Sequence, residues 1–266
     1  TEYANPTGTN PAGNWYEGRK VGEIWGYRAS GIIQTQEEAD EYNAKYNLSY
    51  LTGKAWEPGD VKYIDLNGDN KIDRGDNNLN NMGDLTIIGN TTPRYQYTFN
   101  GSISYKDLSL SMMFQGVAKR DWDPGTAPYF WGSGAYAQVT VFNEHMDYWR
   151  EDNKDAYYPK PYIHSAGGVG PFRNKTMQTS DRYLQSGAYC RLKNITLSYN
   201  LPSTWVQKAG LQKVQVFFSG ENLLTFTSLK GMFDPEAIFT SNSYTGEGGK
   251  NYPMNKVVSF GLVVNL

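Results

Sequence analysis

An antiparallel β-sheet standing between two unlike media, the wall of a transmembrane β-barrel with long loops and a few short helices, is the all-β fold class this sequence predicts. Three observations carry it: a hairpin with two different faces, connections of very unequal length, and a last stretch of apolar alternation. The hairpin runs from Tyr95 to Gly116. Tyr95, Tyr97, Phe99, Gly101, Ile103 and Tyr105 alternate with Gln96, Thr98, Asn100, Ser102 and Ser104, the period of two that sends successive side chains to opposite faces of a strand. Lys106-Asp107 makes a short turn, and Leu108, Leu110, Met112 and Phe114 then alternate with Ser109, Ser111, Met113 and Gln115, which completes an antiparallel hairpin. The polar face of the first strand carries no charge, unlike the water-facing side of a soluble sandwich. A transmembrane barrel turns apolar side chains to lipid and small polar ones to its lumen, with Tyr at the strand ends in the interfacial girdle.

The chain has 266 residues, a formal net charge of -2 and Lys and Arg dispersed along it. That leaves no basic footprint for nucleic acid or an anionic membrane surface. A mean hydropathy of -0.63 and the lack of any apolar run of about 18 residues argue against helical spans. A barrel tolerates such polarity, because only every second strand residue meets lipid. Cys190 is the single cysteine, so no intrachain disulfide framework exists, and a small packing residue is its expected role. No signal peptide is visible from Thr1 to Gly13, an expectation that the start of an exported protein was removed or lies elsewhere.

Taken in order, Asn5 to Asn14 reads as loop and Trp15 to Ile33 as aromatic, glycine-rich extended chain. Thr35 is an N-cap ahead of acidic Glu37 and Glu38, with Ala39, Tyr42, Ala44, Tyr46 and Leu48 carrying a short helix onward. Val61 to Ile64 is a short strand. It leads into the sharpest chemical motif of the chain, Asp65 to Asp76. Asp65, Asn67, Asp69, Lys71 and Asp73 occupy positions 1, 3, 5, 7 and 9 of a calcium loop, and Asp76 occupies position 12. Calcium takes about six to eight hard oxygen ligands, and this spacing wraps carboxylates, an amide and the Lys71 carbonyl around one point. Asn70 stands where Gly is usual, Asp76 is shorter than the customary Glu, and no long helices flank the loop, so a structural calcium ion is expected rather than a sensor. The competing reading is a cluster of Asx turns bonded to their own backbone.

Leu85 to Gly89 reads as a short strand before the hairpin. Lys119 to Ser186 is a very long connection with aromatic clusters, and Val141 to Arg150 inside it is expected to form one short helix. Trp122, Tyr129, Phe130 and Trp131 are candidates for stacking on a substrate's flat faces; the alternative is that they pack against each other or a partner. Tyr183 to Leu201 is a strand whose phase changes, which predicts a bulge near Asn194. Thr204 to Ala209 gives about one helical turn. Val214 to Phe226 and Ser259 to Leu266 are further strands, the second carrying Phe260, Leu262, Val264 and Leu266 on one face. Apolar alternation to the last residue is what the terminal strand of an outer-membrane barrel looks like. His145 and His164 lie in loops without a paired nucleophile, so no enzyme is expected.

Trp56-Glu57-Pro58-Gly59-Asp60 through Asp73, Ile87-Ile88-Gly89-Asn90-Thr91-Thr92-Pro93-Arg94-Tyr95, Phe114-Gln115-Gly116-Val117, Tyr183-Leu184 to Leu201-Pro202, Phe218-Ser219-Gly220-Glu221-Asn222-Leu223 and Asp234-Pro235-Glu236 together resemble the C-terminal portion of SusC/RagA-type TonB-dependent outer-membrane transporters of Bacteroidetes. The likeness runs from about Val21 to the last residue and departs at Leu266, where the family usually ends in an aromatic residue. It implies that residues 1–266 belong to a barrel of about 22 strands. The plug domain and TonB box are not among these residues, so the remainder of the transporter is an expected partner. The resemblance further implies import of glycans or oligopeptides under a SusD-like surface lipoprotein, with TonB acting through the plug and lipid around the wall. A secreted, calcium-stabilised carbohydrate-binding module is the alternative, and water solubility without detergent distinguishes it.

Overall fold

A computed structural model of the chain describes residues 7–125, 127–132, 141–162, 175–238 and 251–266. Its elements, in chain order, begin with β1 (Glu23–Gly26), β2 (Ala29–Ile32), α1 (Gln36–Lys45), β3 (Val61–Tyr63) and β4 (Thr86–Asn90). The hairpin strands β5 (Gln96–Tyr105) and β6 (Leu108–Val117) follow, then β7 (Asp121–Trp122), α2 (Pro128–Trp131), a 3-10 turn (Asn143–Met146) and β8 (Gln185–Ser186). The chain continues with β9 (Tyr189–Asn200), α3 (Ser203–Lys208), β10 (Lys213–Thr227) and β11 (Val257–Asn265). They divide into two compact units, one from the described parts of residues 1–92 and 121–185, the other from those of 93–120, 186–239 and 251–266.

The second unit is the wall. Its single sheet has the order β5-β6-β9-β10-β11, every neighbouring pair antiparallel. Cross-strand register stacks like with like. One row reads Ile103, Leu110, Leu197, Phe218 and Phe260; the next row on the same face reads Tyr105, Leu108, Tyr199, Val216 and Leu262. The opposite face carries Ser102, Ser111, Thr196, Ser219 and Ser259 in one row. No residue of β5 or β11 is buried. Phe99, Ile103, Phe226 and Phe260 are exposed by 60% or more, so much of the apolar face lies open among the described residues, although Leu192 and Val214 on it are buried. From Tyr97 to Tyr105 the strand rises roughly 26 Å at ~3.3 Å per residue. Tilted by ~40°, it covers about 20 Å of an apolar band some 25 Å tall.

Connections alternate in length. Lys106 and Asp107 alone join β5 to β6, with Lys106 in the left-handed region (φ 54), and residues 201–212 join β9 to β10. Residues 118–188 and 228–256 make the two links at the opposite end of the sheet. Short turns on one side and long loops on the other is the arrangement of outer-membrane barrels. The bulge falls where the phase change places it: Met113 pairs with Asn194 and Phe114 with Leu192, leaving Lys193 without a counterpart. At Gly116 a Cβ would meet the Tyr189 carbonyl oxygen at 2.2 Å. The absence of a side chain there lets the Tyr97 ring fold across, with its hydroxyl donating to that carbonyl at 3.1 Å.

The first unit is a folded assembly of loops. Antiparallel pairs β1 with β4 and β2 with β3 surround Tyr27, Ile33, Trp56, Val61, Tyr63 and Ile72, all 1% exposed or less. Thr35 caps α1 by accepting from the Glu38 amide at 3.2 Å. The helix stops at Lys45, before the expected Tyr46 and Leu48, because Asn47 pairs with the Asx-rich loop. Its amide donates to the Asn70 carbonyl at 2.8 Å, and its carbonyl accepts from the Ile72 amide at 3.1 Å. The helix expected over Val141 to Arg150 shrinks to one 3-10 turn, since Trp149 and Asp147 exchange backbone bonds with Tyr158 instead.

Candidate functional site

Asp65 to Asp76 folds around its own side chains. The Asp65 carboxylate accepts from the amides of Gly68 at 2.7 Å and Asn70 at 2.9 Å. The Asn67 side-chain Oδ1 accepts from the Asp69 amide, the Asp69 carboxylate from the Lys71 amide and the Asp73 carboxylate from the Gly75 amide. The Asp76 carboxylate accepts from the Asn81 side-chain amide at 3.0 Å. The bonds at Asp65, Asn67, Asp69 and Asp73 each satisfy a turn amide locally, the Asx-turn device. Asn70 takes the left-handed conformation (φ 60) that position 6 requires. Among the described residues, no three His, Cys, Asp or Glu side chains are gathered closely enough to hold a metal ion. The six residues placed by spacing at a calcium centre lie on one loop with hard oxygen donors, and their carboxylates are not drawn to one point.

Asp84 organises the loop, and sequence spacing did not single it out. It is fully buried and accepts from the amides of Leu66 at 2.7 Å and Asp73 at 2.9 Å, clamping both ends of the Asx run. Burial raises its pKa above the ordinary aspartate value, against the pull of those backbone amides. Gly75 and Gly83 sit back to back, both with positive φ, and a Cβ on Gly83 would lie 2.4 Å from the Gly75 nitrogen. The only local signal for Asp84 was its place after a turn-rich run.

The aromatic candidates separate. Trp122, Phe130 and Trp131 are buried and spend their rings on one another and on tyrosines. Phe130 meets Trp122 edge-on at 6.1 Å and Trp131 at 4.9 Å, and Trp131 meets Tyr183 at 4.7 Å. These three therefore form core in this chain rather than an open stacking platform, because the aromatic quadrupole favours edge-to-face packing when enough rings are at hand. Tyr129 alone of the four is exposed. His145 is buried, its Nε2 within 3.0 Å of the Tyr129 carbonyl oxygen and its Nδ1 accepting from the Phe142 amide. That is a packing histidine. His164 lies outside the described residues.

A second buried feature had no sequence signature. Lys175 Nζ lies 2.8 Å from Asp60 Oδ2, and the Tyr162 hydroxyl donates to Asp60 Oδ1 at 2.5 Å. The ammonium also lies over the Trp56 and Tyr162 rings at 5.5 and 5.2 Å. In the wall unit, Arg191 and Lys193 hold the segment Asp234 to Glu236 through ion pairs of 2.7 to 3.2 Å.

Known proteins match this architecture. The TonB-dependent receptor P3 of Formosa agariphila is 30% identical over 252 residues, covering 92% of this chain and 22% of the relative. The TonB-dependent receptor P26 of the same organism is 25% identical over 253 residues, with 93% and 23% covered. The chain thus spans under a quarter of the length of these curated relatives. Among solved structures, the RagAB peptide transporter superposes with a TM-score of 0.59 at 21% identity, over 99% of this chain and 24% of that one. The RagAB peptide importer in its "closed-closed" state gives 0.57 at 20% identity. No protein-family model matches. With antiparallel strands that fit part of the large RagAB barrel, the chain matches the TonB-dependent receptors across nine-tenths of its own length and under a quarter of theirs.

Proposed function

We propose that this chain contributes wall strands and outer loops to an outer-membrane importer of nutrients that is driven through TonB. The observation that carries the reading is the five-stranded sheet, apolar on one exposed face and small and polar on the other, with short turns at one end and long loops at the other. Such a sheet has a stable setting only between lipid and a wet lumen. In the proposal, residues 1–266 are the C-terminal portion of the transporter. The plug and its TonB box come from the rest of the protein, and a SusD-like lipoprotein covers the loops. Oligopeptides are favoured over glycans as cargo because solved structures that share this fold include a peptide transporter and a peptide importer. The chain's own role is binding and passage rather than bond-making chemistry. A structural calcium ion at Asp65, Asn67, Asp69, Lys71, Asp73 and Asp76 is part of the proposal, supported by the hard-oxygen spacing and by the left-handed Asn70.

The test is purification from native membranes. The polypeptide is expected only in the outer-membrane fraction, extracted by detergent together with a lipoprotein identified by mass. Recovery as a soluble, monodisperse species without detergent sinks the proposal.

A further inference from the structure

A cavity of about 510 Å3 opens in the loop unit, lined among others by Trp25, Tyr27, Arg74 and Asp123. Three of its lining residues carry a buried polar atom that makes no hydrogen bond of normal geometry among the described residues: the Trp25 indole Nε1, the Tyr27 hydroxyl and the Arg74 Nε. Trp25 and Tyr27 are two residues apart on extended chain, so they turn to the same side. Tyr27 is 1% exposed and its ring rests on Tyr63, centroids 5.3 Å apart. Burial raises the pKa of the Tyr27 hydroxyl above the ordinary tyrosine value, with Arg74 beside it pulling the other way.

Arg74 enters the cavity from the Asx-rich loop and makes none of the ion pairs found among the described residues. The two carboxylates lining the same cavity are already engaged elsewhere. Glu23 accepts from the Tyr16 hydroxyl and the Lys20 amide. Asp123 accepts from the Thr179 hydroxyl at 2.7 Å and the Gly125 amide at 3.2 Å. Among the described residues, three buried donors therefore lack a well-formed hydrogen bond, the Trp25 N–H having only the Tyr16 hydroxyl for company and Arg74 only that of Tyr27, and the guanidinium has no ion-pair partner. Buried donors left unmade are costly, and the planar guanidinium fork matches a carboxylate's two oxygens.

We propose that this cavity binds the carboxylate of a small organic ligand, anchored by Arg74 and completed by the Tyr27 hydroxyl and the Trp25 indole N–H. The choice of ligand rests on the importer reading. Within it, one chemistry has two sources, the C-terminus of a short peptide and the uronic acid of an acidic oligosaccharide.

The experiment is calorimetric titration of the detergent-purified assembly with tri-alanine, tri-alaninamide, digalacturonic acid and its methyl ester. At least one acid binds, and its neutral counterpart binds at least about tenfold more weakly, the scale of losing one partner of a desolvated charge pair. Arg74→Met loses a similar factor and Arg74→Lys recovers part of it. Tyr27→Phe, which keeps the ring on Tyr63, weakens binding while leaving the melting temperature of the assembly in place, and stands in should Arg74→Met fail to assemble. The inference is overturned if neither acid binds, if the neutral ligands bind equally well, or if Arg74→Met and Tyr27→Phe both bind as the parent does. Membrane fractionation tests the importer reading separately, so a chain that needs detergent yet ignores carboxylates defeats this inference alone.

Discussion

Lys175 and Asp60, 115 positions apart in sequence, meet as an ion pair of 2.8 Å with side chains 2% and 0% exposed. Removing one member of a buried pair strands the other in low dielectric, a loss of about 3–5 kcal/mol. Lys175→Met is accordingly expected to make the loop unit of the purified assembly open to limited proteolysis. Combining it with Asp60→Asn restores much of the protection, since no charge is then left alone. Equal sensitivity of the single and double variants would count against this account.

Asp84 gives a more local prediction. Asp84→Ala leaves the amides of Leu66 and Asp73 without their buried acceptor, about 1–3 kcal/mol for each orphaned group. Hydrogen exchange at those two amides should quicken sharply while amides of β5 and β6 stay protected. Uniform quickening across both units would show that Asp84 does something else.

Calcium at the Asx-rich loop is tested by elemental analysis. The assembly, purified with calcium and washed free of excess ion, is expected to retain one calcium that Asp69→Ala and Asp73→Ala each abolish, with the barrel still resistant to detergent. Retention by both variants, or no metal in the parent, removes calcium from the description and leaves the hydrogen bonds as the loop's whole support.

The two faces of the wall can be told apart by one substitution on each. Ile195 lies in the middle row of the apolar face, with Met112 and Gly220 as its partners, and Thr196 is its neighbour on the polar face. Arginine at mid-membrane on a lipid-facing site costs about 2–4 kcal/mol, so Ile195→Arg should deplete folded barrel from the outer membrane while Thr196→Arg leaves its level near normal. A reversed order would mean the faces have been assigned the wrong way round.

A pH effect follows from Asp234. Burial pushes its carboxyl up, but the Arg191 hydrogen bond and the amides of Glu236 and Met254 outweigh it and hold the pKa below 3.8. A depressed folded pKa means stabilisation that is present above the unfolded value and disappears as pH falls through the folded one. Protease sensitivity of the segment near Asp234 should therefore stay flat down to about pH 4 and rise only in more acidic solution. Asp234→Asn should show that sensitivity already at neutral pH.

The wall was legible because its rules are local. Alternation placed β5 and β6, and the parity switch between Leu192 and Ile195 announced a bulge near Asn194, which falls at its neighbour Lys193. Thr35 announced its helix, and Asn70, standing where Gly is usual, takes the left-handed conformation that asparagine tolerates. What escaped depends on partners far apart in sequence. Nothing near Lys175 points to Asp60, and nothing near Arg74 points to Trp25. The burial of Trp122, Phe130 and Trp131 needed Tyr158 and Tyr183 to be brought alongside. The early end of α1 needed the Asx-rich loop to compete for Asn47.

The sheet order places β5 and β11 at the two edges, each with one rim of N–H and C=O groups not paired to a strand among the described residues. Such rims are templates for any extended chain of matching length, and here they flank a greasy face. Synthesised apart from flanking strands, this polypeptide is expected to zip onto copies of itself and collect as insoluble aggregate. Its productive assembly is thus a matter of timing, because both rims have to be claimed by the correct neighbours before a second copy arrives.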